Sequence, residues 1–391
     1  MTAERPSPRV VVAAPLFNKV QHLEEAARSI LGQTRPDLVL LLIDDGSTDG
    51  TVELCEALAR EDPRVEVHVN PRRLGMLGNT RRAFTLARER YPDAEFWALG
   101  SDHDVWSPTW LERLVALLDA HPEAVVAYPQ TQRIDEHGVP YNANRRPWRA
   151  DTRGIRDPHA RMTAAFRGMV AGDMIYGLFR ASVLDALGGV YRPVLVPDRL
   201  LLSEVALQGE LLQVPEVLWR RRFRGIADLE RQRRAFFLDK PPAHAAWPWW
   251  LQHTGALLLA YVLRAPRVAG LGRRDGLRIA VTYLRLALAR RYRRRPARPR
   301  RTLRRRVRVV RGRIDKLRHH YAPRRVKNRI EYRLILRFGL RAATGLRRAA
   351  AVLPAAVPPA ARMVALAERV EAAVVLQSVA AAARAARREV P

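Results

Sequence analysis

Sulfur chemistry is nearly absent from this sequence. Cys55 is the single cysteine among 391 residues, so no intrachain disulfide can form, and the clustered thiols of a cysteine zinc site are missing. Cys55 falls within a helical pattern, where we expect a small, packed side chain. A disulfide-stapled secreted fold and a zinc module built on cysteines are therefore excluded.

Long uninterrupted apolar runs are also missing. A membrane-spanning helix needs about 18 uncharged apolar residues, and the nearest stretch, 247–263, is interrupted by Pro248, Gln252, His253 and Thr254. The first ten residues, MTAERPSPRV, lack the apolar segment of a secretory signal. We therefore expect a cytoplasmic protein that associates peripherally with the cytoplasmic face of a membrane.

Acidic residues become scarce after residue 240. Residues 1–240 carry 33 Lys plus Arg and 33 Asp plus Glu, whereas residues 241–391 carry 36 basic and 6 acidic residues. The whole net charge of +30 therefore belongs to the second segment. This contrast predicts two parts, an ordinary soluble domain at 1–240 and an Arg/Ala-rich, amphipathic helical extension at 241–391.

Apolar strands alternate with amphipathic helices in the first part. RVVVAAPLFN, LVLLLIDDG, VEVHVN and AEFWALG are typical of buried strands, and QHLEEAARSILGQ, STDGTVELCEALARED and GMLGNTRRAFTLARERY are typical of helices between them. This order predicts an α/β fold with a mostly parallel sheet and helices on both faces. We expect a polar loop at 141–161, and a helix followed by a β-hairpin-like edge at 197–223.

Three polar loops follow the strands of this predicted sheet. They are Pro15–Asn18, Asp44–Gly46 and Asp102–Asp104. Ligands of open α/β sheets bind beyond the carboxyl ends of the strands, so the three loops are expected to share one rim and to form a site there.

The loop IDDGSTDGT, residues 43–51, allows two interpretations. Ser47 and Asp49 are good helix-capping residues and Gly46 permits a tight turn, so the loop can simply begin a helix. Alternatively, Asp44 or Asp45 accepts hydrogen bonds from a nucleobase or a ribose, because a carboxylate suits N–H and O–H donors.

The pair Asp102-x-Asp104 also allows two interpretations. It can be a turn with two solvated acids, or a seat for a hard divalent cation, since magnesium is typically held by one or two carboxylates plus substrate phosphates. Spacing of i and i+2 at a strand end lets both carboxylates face one point. His103 between them is expected to be an oriented side chain rather than a ligand.

These motifs resemble glycosyltransferase family 2. APLFN, LLLIDDGSTDGT, GNTRRAF and SDHDVWSP occur in the family's order and at similar spacing, over about residues 9 to 225. The resemblance implies a GT-A fold of Rossmann-like type, a nucleotide-diphospho-sugar donor, inversion at the anomeric carbon, and Mg²⁺ or Mn²⁺ bound at the DxD motif.

Carried over position by position, the resemblance gives each motif a role. Pro15 and Asn18 line the nucleotide pocket, and Asn79 lies near the ribose or sugar. Asp102 lies on the ribose side and, with Asp104, holds the metal. The full set implied to bind donor or metal is Pro15, Asn18, Asp44, Asp45, Gly46, Asn79, Asp102 and Asp104.

The family also has a catalytic acid from a Glu-Asp pair, followed by an amphipathic helix and a glycine. Asp198 matches, with Gly209 eleven residues on, but Pro197 replaces the usual Glu. An inverting transfer needs one base to take the proton of the acceptor hydroxyl, which Asp198 can supply; a helix N-cap is the alternative. Phe223 stands where many members have His, and Val105 where many have a further Asp.

The basic extension has three possible roles. It can dock on anionic lipid, bind nucleic acid, or pack on the catalytic domain. Apolar stripes with Trp247, Trp249 and Trp250 favour the membrane surface, and nucleic acid is not the expected partner. We therefore expect a glycan or lipid-linked acceptor in cell-envelope polysaccharide or glycolipid synthesis. The alternatives are a sugar-nucleotide-binding protein without turnover and a nucleic-acid-associated scaffold.

Overall fold

The protein structure is a computed structural model that describes residues 7–141, 151–169, 172–222, 229–238, 241–264 and 271–293. The chain divides into two compact units, Met1–Leu288 and Ala289–Pro391. Among the helices of the described ranges, none is long and apolar enough to cross a membrane. Beyond residue 293, the predicted amphipathic helical extension lies outside the described residues.

Within the described residues, eight strands form one sheet in the order β3-β2-β1-β4-β7-β6-β8-β5. Five of them precede residue 107, and the other three run through the second half of the sheet. Their bounds are β1 Val10–Leu16, β2 Leu38–Asp44, β3 Val65–Val69, β4 Phe96–Leu99, β5 Val105–Trp106, β6 Ala124–Ile134, β7 Leu178–Arg180 and β8 Glu210–Arg222.

Ten α-helices are described alongside the sheet. Short 3₁₀ turns at Gly172–Tyr176 and Ala243–Ala246 and a π-helical turn at Leu259–Leu263 complete the elements. The helices are α1 Val20–Leu31, α2 Thr51–Glu61, α3 Gly75–Arg90, α4 Trp110–Ala120, α5 Pro158–Gly168, α6 Ala181–Leu187, α7 Pro197–Gln208, α8 Leu229–Phe237, α9 Trp249–Leu258 and α10 Arg273–Arg293.

The first half of the sheet is parallel, as predicted. β1 pairs in parallel with β2 and with β4, and β2 pairs in parallel with β3. Alternate residues of these strands face opposite sides. Phe96 and Ala98 join the core cluster that includes residues of α1 and α4, whereas Trp97 packs edge-on against Phe84 of α3 at 5.5 Å. Helices therefore cover both faces, and the α/β fold class is confirmed.

The second half of the sheet is mixed. β7 runs antiparallel to both β4 and β6, and β5 runs antiparallel to β8. The β-hairpin-like edge expected after α7 is wrong, because β8 is one long strand that runs parallel to β6. Its register shifts between Gln213, which pairs with Tyr128, and Val217, which pairs with Gln130. Pro215 lies in that irregular stretch, where its missing N–H breaks no regular ladder bond.

The predicted loop at 141–161 ends earlier than expected. α5 begins at Pro158, and the Asp157 side chain accepts a hydrogen bond from the backbone N–H of Ala160 at 2.7 Å. Asp-Pro at the cap and first helical positions is a standard helix start, so the sequence did contain the signal.

The first compact unit continues past residue 240 to Leu288. α9, the π-helical turn after it and the adjoining part of α10 contribute buried side chains to it, among them Leu257, Tyr261, Tyr283 and Ala287. The three tryptophans expected at a membrane surface differ in exposure, since Trp250 is buried and Trp247 is half exposed. The ring of Trp249 packs against His253 at 5.1 Å.

Candidate active site

The loops after β1 and β2 are joined by direct hydrogen bonds. The backbone N–H of Asn18 donates to the Ser47 hydroxyl at 2.8 Å, and the Asn18 side-chain oxygen accepts from the N–H of Thr48 at 2.9 Å. Asn18 has φ +51° and Gly46 has φ +84°, conformations that asparagine and glycine tolerate best. The two loops therefore form one rigid wall at the carboxyl ends of the strands.

Asp44 is fully buried at the base of this wall. Its Oδ2 accepts the backbone N–H groups of Gly46 and Ser47, each at 2.9 Å, and its Oδ1 accepts from the Ser47 hydroxyl. The carboxylate therefore holds the turn of its own loop. A contact between Asp44 and a nucleobase stays a prediction.

Asp45 belongs to a second buried network. Its Oδ1 accepts from the N–H of Leu74 at 2.7 Å and its Oδ2 from the N–H of Gly75 at 2.8 Å, which fixes the start of α3. The Asn70 amide bridges the two predicted site residues, donating to Asp45 at 3.1 Å and to the Asn79 side-chain oxygen at 2.8 Å. Asn79 in turn donates to the Ile43 carbonyl at 2.9 Å. Asp45 and Asn79 thus connect the wall to α3.

The acidic pair follows β4, where Gly100 donates to the Ala13 carbonyl of β1 at 2.9 Å. Asp102 hydrogen-bonds to Nδ1 of His103, so the histidine is oriented by its neighbour, as expected. A polar cleft opens between this pair and the loop after β1. It is lined by Asn18, Lys19, Val20, Gln21, His22, Asp49, Asp102 and His103.

Asp102 and Asp104 differ in environment. Burial would raise the pKa of Asp102, but the hydrogen bond and charge of His103, together with Lys19, lower it below its usual value. Burial raises the pKa of Asp104, against the opposing influence of His103, the Arg222 N–H and Arg221. Asp104 is 1% exposed and accepts the backbone N–H of Arg222 of β8 at 2.8 Å.

The donor set at this strand end suits a hard divalent cation only in part. Two carboxylates offer oxygen ligands, and within the described ranges no group of three His, Cys, Asp or Glu side chains could hold a metal ion. Magnesium and manganese favour such oxygen ligands and complete their shells with substrate phosphates. The residues therefore fit a cation that arrives with, and is shared by, a diphosphate.

Asp198 lies in the first turn of α7 and is partly buried. The Tyr191 hydroxyl donates to its Oδ1 at 2.6 Å. Burial raises the pKa of Asp198, while the Tyr191 hydrogen bond and the charges of Arg221 and Arg199 oppose the rise. Gly172 lies directly over the other oxygen: a Cβ there would collide with Oδ2 and stand 3.0 Å from Cγ.

Arg221 and Tyr176 connect the acid pair to Asp198. The Arg221 guanidinium pairs with Asp173 and lies 6.0 Å from the Tyr176 ring centroid. Burial lowers the pKa of Arg221, but Asp173, Tyr176, Asp104 and Asp198 raise it above its usual value. Asp104 and Asp198 therefore both act on the charge of the Arg221 guanidinium. No local sequence pattern marks Tyr191, and β8 and the segment before α7 reach the site only in the folded chain.

The predicted site residues thus fall into three groups. Asn18 and Asp102 line the cleft, and Asp104 and Asp198 lie deeper around Arg221. The remaining predicted residues form the wall and its support, which are Pro15, Asp44, Asp45, Gly46 and Asn79.

The chain is similar to known glycosyltransferases. Residues 11–184 match the family model described as Glycosyl transferase family 2. An uncharacterized glycosyltransferase of Haemophilus influenzae is 30% identical over 134 residues, covering 34% of this chain and 40% of that protein. The putative teichuronic acid biosynthesis glycosyltransferase TuaG of Bacillus subtilis is 28% identical over 106 residues, 27% of this chain and 40% of TuaG. The matched region spans two fifths of each relative.

Among solved structures, S. aureus TarS 1–349 in complex with UDP-GlcNAc shares the fold. Its TM-score is 0.50 at 14% sequence identity, and the match covers 72% of this chain and 73% of that chain. The resemblance in motifs and the GT-A fold are therefore confirmed.

Proposed function

We propose that the protein transfers a sugar from a nucleotide-diphospho-sugar to an acceptor hydroxyl with inversion, because residues 11–184 match the family model of glycosyltransferase family 2. In this proposal Asp198 is the general base. Asp102 and Asp104 hold Mg²⁺ or Mn²⁺ together with the donor diphosphate.

One observation carries the proposal: Asp198, a partly buried carboxylate with a raised pKa, and Asp104 of the acid pair act on the same guanidinium, Arg221. Asp119, by contrast, is a carboxylate that pairs with Arg9, and this pairing lowers its pKa. An acid whose pKa is raised by burial is typical of a group that exchanges a proton.

The chemistry assigned to Asp198 is a single proton transfer. The acceptor oxygen forms a bond to the anomeric carbon as the bond from that carbon to the diphosphate oxygen breaks. The acceptor proton passes to Asp198, and the bonding electrons leave with the nucleoside diphosphate. A base on the face opposite the leaving group is what inversion requires.

The leaving diphosphate gains negative charge, which must be balanced in the site. A divalent cation bound by Asp102 and Asp104 would neutralise that charge without moving a proton. Arg221, held between Asp173 and Tyr176, supplies a fixed positive charge beside the same carboxylates. Asp173 orients this guanidinium and keeps it protonated.

The nucleoside is proposed to bind along the wall formed by the loops after β1 and β2. Asn18 faces the cleft there, and Asp44 and Asp45 hold the backbone of the wall. The Phe17 ring, covered by the Arg73 guanidinium at 3.7 Å, adds a flat surface suited to stacking a base. This pair was not identified from the sequence.

The acceptor is proposed to be a growing polysaccharide or a lipid-linked glycan. Support comes from the relative TuaG, whose name assigns it to teichuronic acid biosynthesis. Gly172 and the 3₁₀ turn it begins lie against Asp198, so an acceptor hydroxyl would reach the base along this turn.

The proposal is tested by a thermal-shift screen of UDP-, GDP-, dTDP- and CDP-linked sugars with Mg²⁺ or Mn²⁺, followed by assays of nucleoside diphosphate release. A donor that stabilises the protein and is consumed supports the transferase. Stabilisation without consumption for any acceptor or water would instead indicate a sugar-nucleotide-binding protein without turnover.

Peripheral membrane association through residues 241–391 is part of the same proposal, supported by the excess of basic residues there. Each Lys or Arg near an anionic surface contributes about 1 kcal/mol. Liposome sedimentation with and without anionic lipid at two salt concentrations tests it. Equal binding to neutral and anionic vesicles, or none to either, contradicts it.

A further inference from the structure

The segment that leads into α7 is held in a strained conformation. We call residues 191–196 the base loop, because they end two residues before Asp198. Val196 closes the loop at φ +55° and ψ +47°. A β-branched residue in the left-handed region is a backbone outlier that persists only when the surroundings hold it.

Side chains from later in the chain bind the backbone of Leu195 and of the strained residue Val196. The N–H of Leu195 donates to Oε1 of Gln252 at 2.9 Å, and the Leu195 carbonyl accepts from Nε2 of His253 at 2.7 Å. The N–H of Val196 donates to Oε1 of Gln232 at 3.1 Å. Three consecutive backbone groups are thus bound by side chains of α8 and α9.

Both α9 side chains are themselves fixed at their other ends. The Gln252 amide donates to the Trp247 carbonyl at 2.7 Å. His253 is fully buried, and burial lowers its pKa to about 3, so the ring is neutral. Because the Leu195 carbonyl can only accept, Nε2 carries the hydrogen and Nδ1 accepts from the Tyr283 hydroxyl at 2.5 Å. Gln252 and His253, which we call the anchors of the base loop, are therefore each held at both ends by hydrogen bonds.

The start of the base loop is bound to α7. Tyr191 at its start donates to Asp198, and Arg192 pairs with buried Glu204 of α7 at 2.8 Å. The loop is therefore tied to the helix that carries Asp198 at one end and to α9 at the other.

We propose that Gln252 and His253 are positioning residues that aim the Asp198 carboxylate by holding Leu195 and strained Val196 in place. The inference rests on the proposed function, since it takes Asp198 as the base. It places part of the machinery of transfer in α9, beyond the 11–184 region that the family model matches.

Gln33 offers a matched control for Gln252. It is also a buried glutamine that bonds to backbone at both ends, donating to the Ser107 carbonyl at 2.8 Å and accepting from the N–H of Leu111 at 2.9 Å. Gln252→Met and Gln33→Met each remove such a crosslink with little change in volume. Only the first crosslink reaches the base loop.

The kinetic experiment compares the two variants with the donor found in the screen. Gln252→Met is expected to lower kcat roughly 10- to 100-fold, the cost of a misplaced catalytic group, with KM for the donor within about twofold. Gln33→Met is expected to keep wild-type kcat. An unchanged kcat in folded Gln252→Met, or equal losses in both variants, would overturn the proposal.

A second variant tests the strain itself. Glycine adopts the left-handed region freely, so in a Val196→Gly background the loop depends less on its anchors. The kcat loss caused by Gln252→Met should shrink in that background. The same fold loss in both backgrounds contradicts the positioning role. If Gln252→Met does not fold, Tyr283→Phe removes only the hydroxyl that orients His253 and is measured in its place.

Hydrogen exchange separates this inference from the proposed function, because it needs no donor. The amides of Leu195 and Val196 are expected to exchange roughly tenfold faster in Gln252→Met than in wild type, as opening loses one hydrogen bond, and at the wild-type rate in Gln33→Met. Unchanged exchange in Gln252→Met overturns the anchoring even if the wild type proves to be a transferase. If the wild type shows no turnover, faster exchange in Gln252→Met would support the anchoring but overturn its role in catalysis.

Discussion

The Tyr191 hydroxyl donates a 2.6 Å hydrogen bond to Oδ1 of Asp198. Oδ2 of the same carboxylate faces Gly172. Burial raises the pKa of Tyr191 well above its usual value, so the phenol stays a donor throughout the working pH range. Tyr191 therefore fixes which oxygen of the carboxylate is engaged, and in the proposed mechanism Oδ2 is the oxygen that takes the proton.

Replacing Asp198 should separate catalysis from stability. Asp198→Asn is expected to lower kcat by about 10²- to 10⁴-fold, the usual contribution of a general base, with donor binding retained. The raised folded-state pKa means that the ionised carboxylate destabilises the fold above that pKa. The Tm of Asp198→Asn should therefore match or exceed that of wild type at pH 8, and the difference should shrink as pH falls. Asp185 of α6 is an acid paired with Arg88 of α3. Asp185→Asn is therefore the control and should leave kcat unchanged.

Removing the Tyr191 hydroxyl should move the acid limb of the pH profile. The base works as a carboxylate, so kcat falls as pH drops through the pKa of Asp198. The Tyr191 bond lowers that pKa, and Tyr191→Phe should therefore shift the acid limb to higher pH. Tyr91→Phe, which removes a hydroxyl bonded to Glu66 on the edge strand, should leave the profile in place. A shift to lower pH in Tyr191→Phe would contradict the assignment.

An added methyl group at position 172 should displace the base. Gly172→Ala places a Cβ in collision with Oδ2 of Asp198, and a carboxylate moved by about 1 Å can cost roughly 100-fold in rate. We expect kcat to fall by about that factor with donor-induced stabilisation retained. Gly272→Ala meets only Oδ2 of Asp275, at 3.6 Å, and should behave as wild type. Full activity in Gly172→Ala would place the acceptor elsewhere.

Chelation should reverse donor binding if a divalent cation joins the acid pair to the diphosphate. EDTA is expected to abolish the thermal shift caused by the donor, and Mg²⁺ or Mn²⁺ in excess should restore it. Asp102→Asn should need at least about tenfold more metal for the same shift, since it removes one charged ligand. Asp119→Asn at the surface is the control. A donor shift that survives EDTA would indicate that Arg221 alone balances the diphosphate.

Much of the fold and part of the site follow from the sequence. The parallel half of the sheet was predictable because β1, β2 and β4 are uniformly apolar and α1 and α2 show helical periodicity. The loops carrying Asn18, Asp44 and Asp102 were predictable because parallel strands end at one rim. The β8 strand was not, because Pro215 interrupts a pattern that otherwise continues on either side of a bulge.

Two residues around the inner acids, Tyr191 and Arg221, were not predicted from the sequence. Tyr191 and Arg221 lie far from the acid pair in sequence and meet Asp104 and Asp198 only through the pairing of β8 with β5 and β6 and through the base loop. Gln252 and His253 lie in a stretch whose apolar character suggested a membrane-facing helix, yet their polar groups point inward to Leu195. Sequence periodicity places residues on faces but does not say which backbone groups they will bind.

The most direct test of the account follows the anomeric carbon through one turnover. The donor found in the screen, incubated with an acceptor glycan, metal and wild-type or Asp198→Asn enzyme, is analysed by ¹H NMR at early times. The account predicts a product whose anomeric configuration is opposite to that of the donor, formed by wild type and lost in Asp198→Asn. A product that retains the donor configuration, or one formed at the wild-type rate by Asp198→Asn, would contradict it.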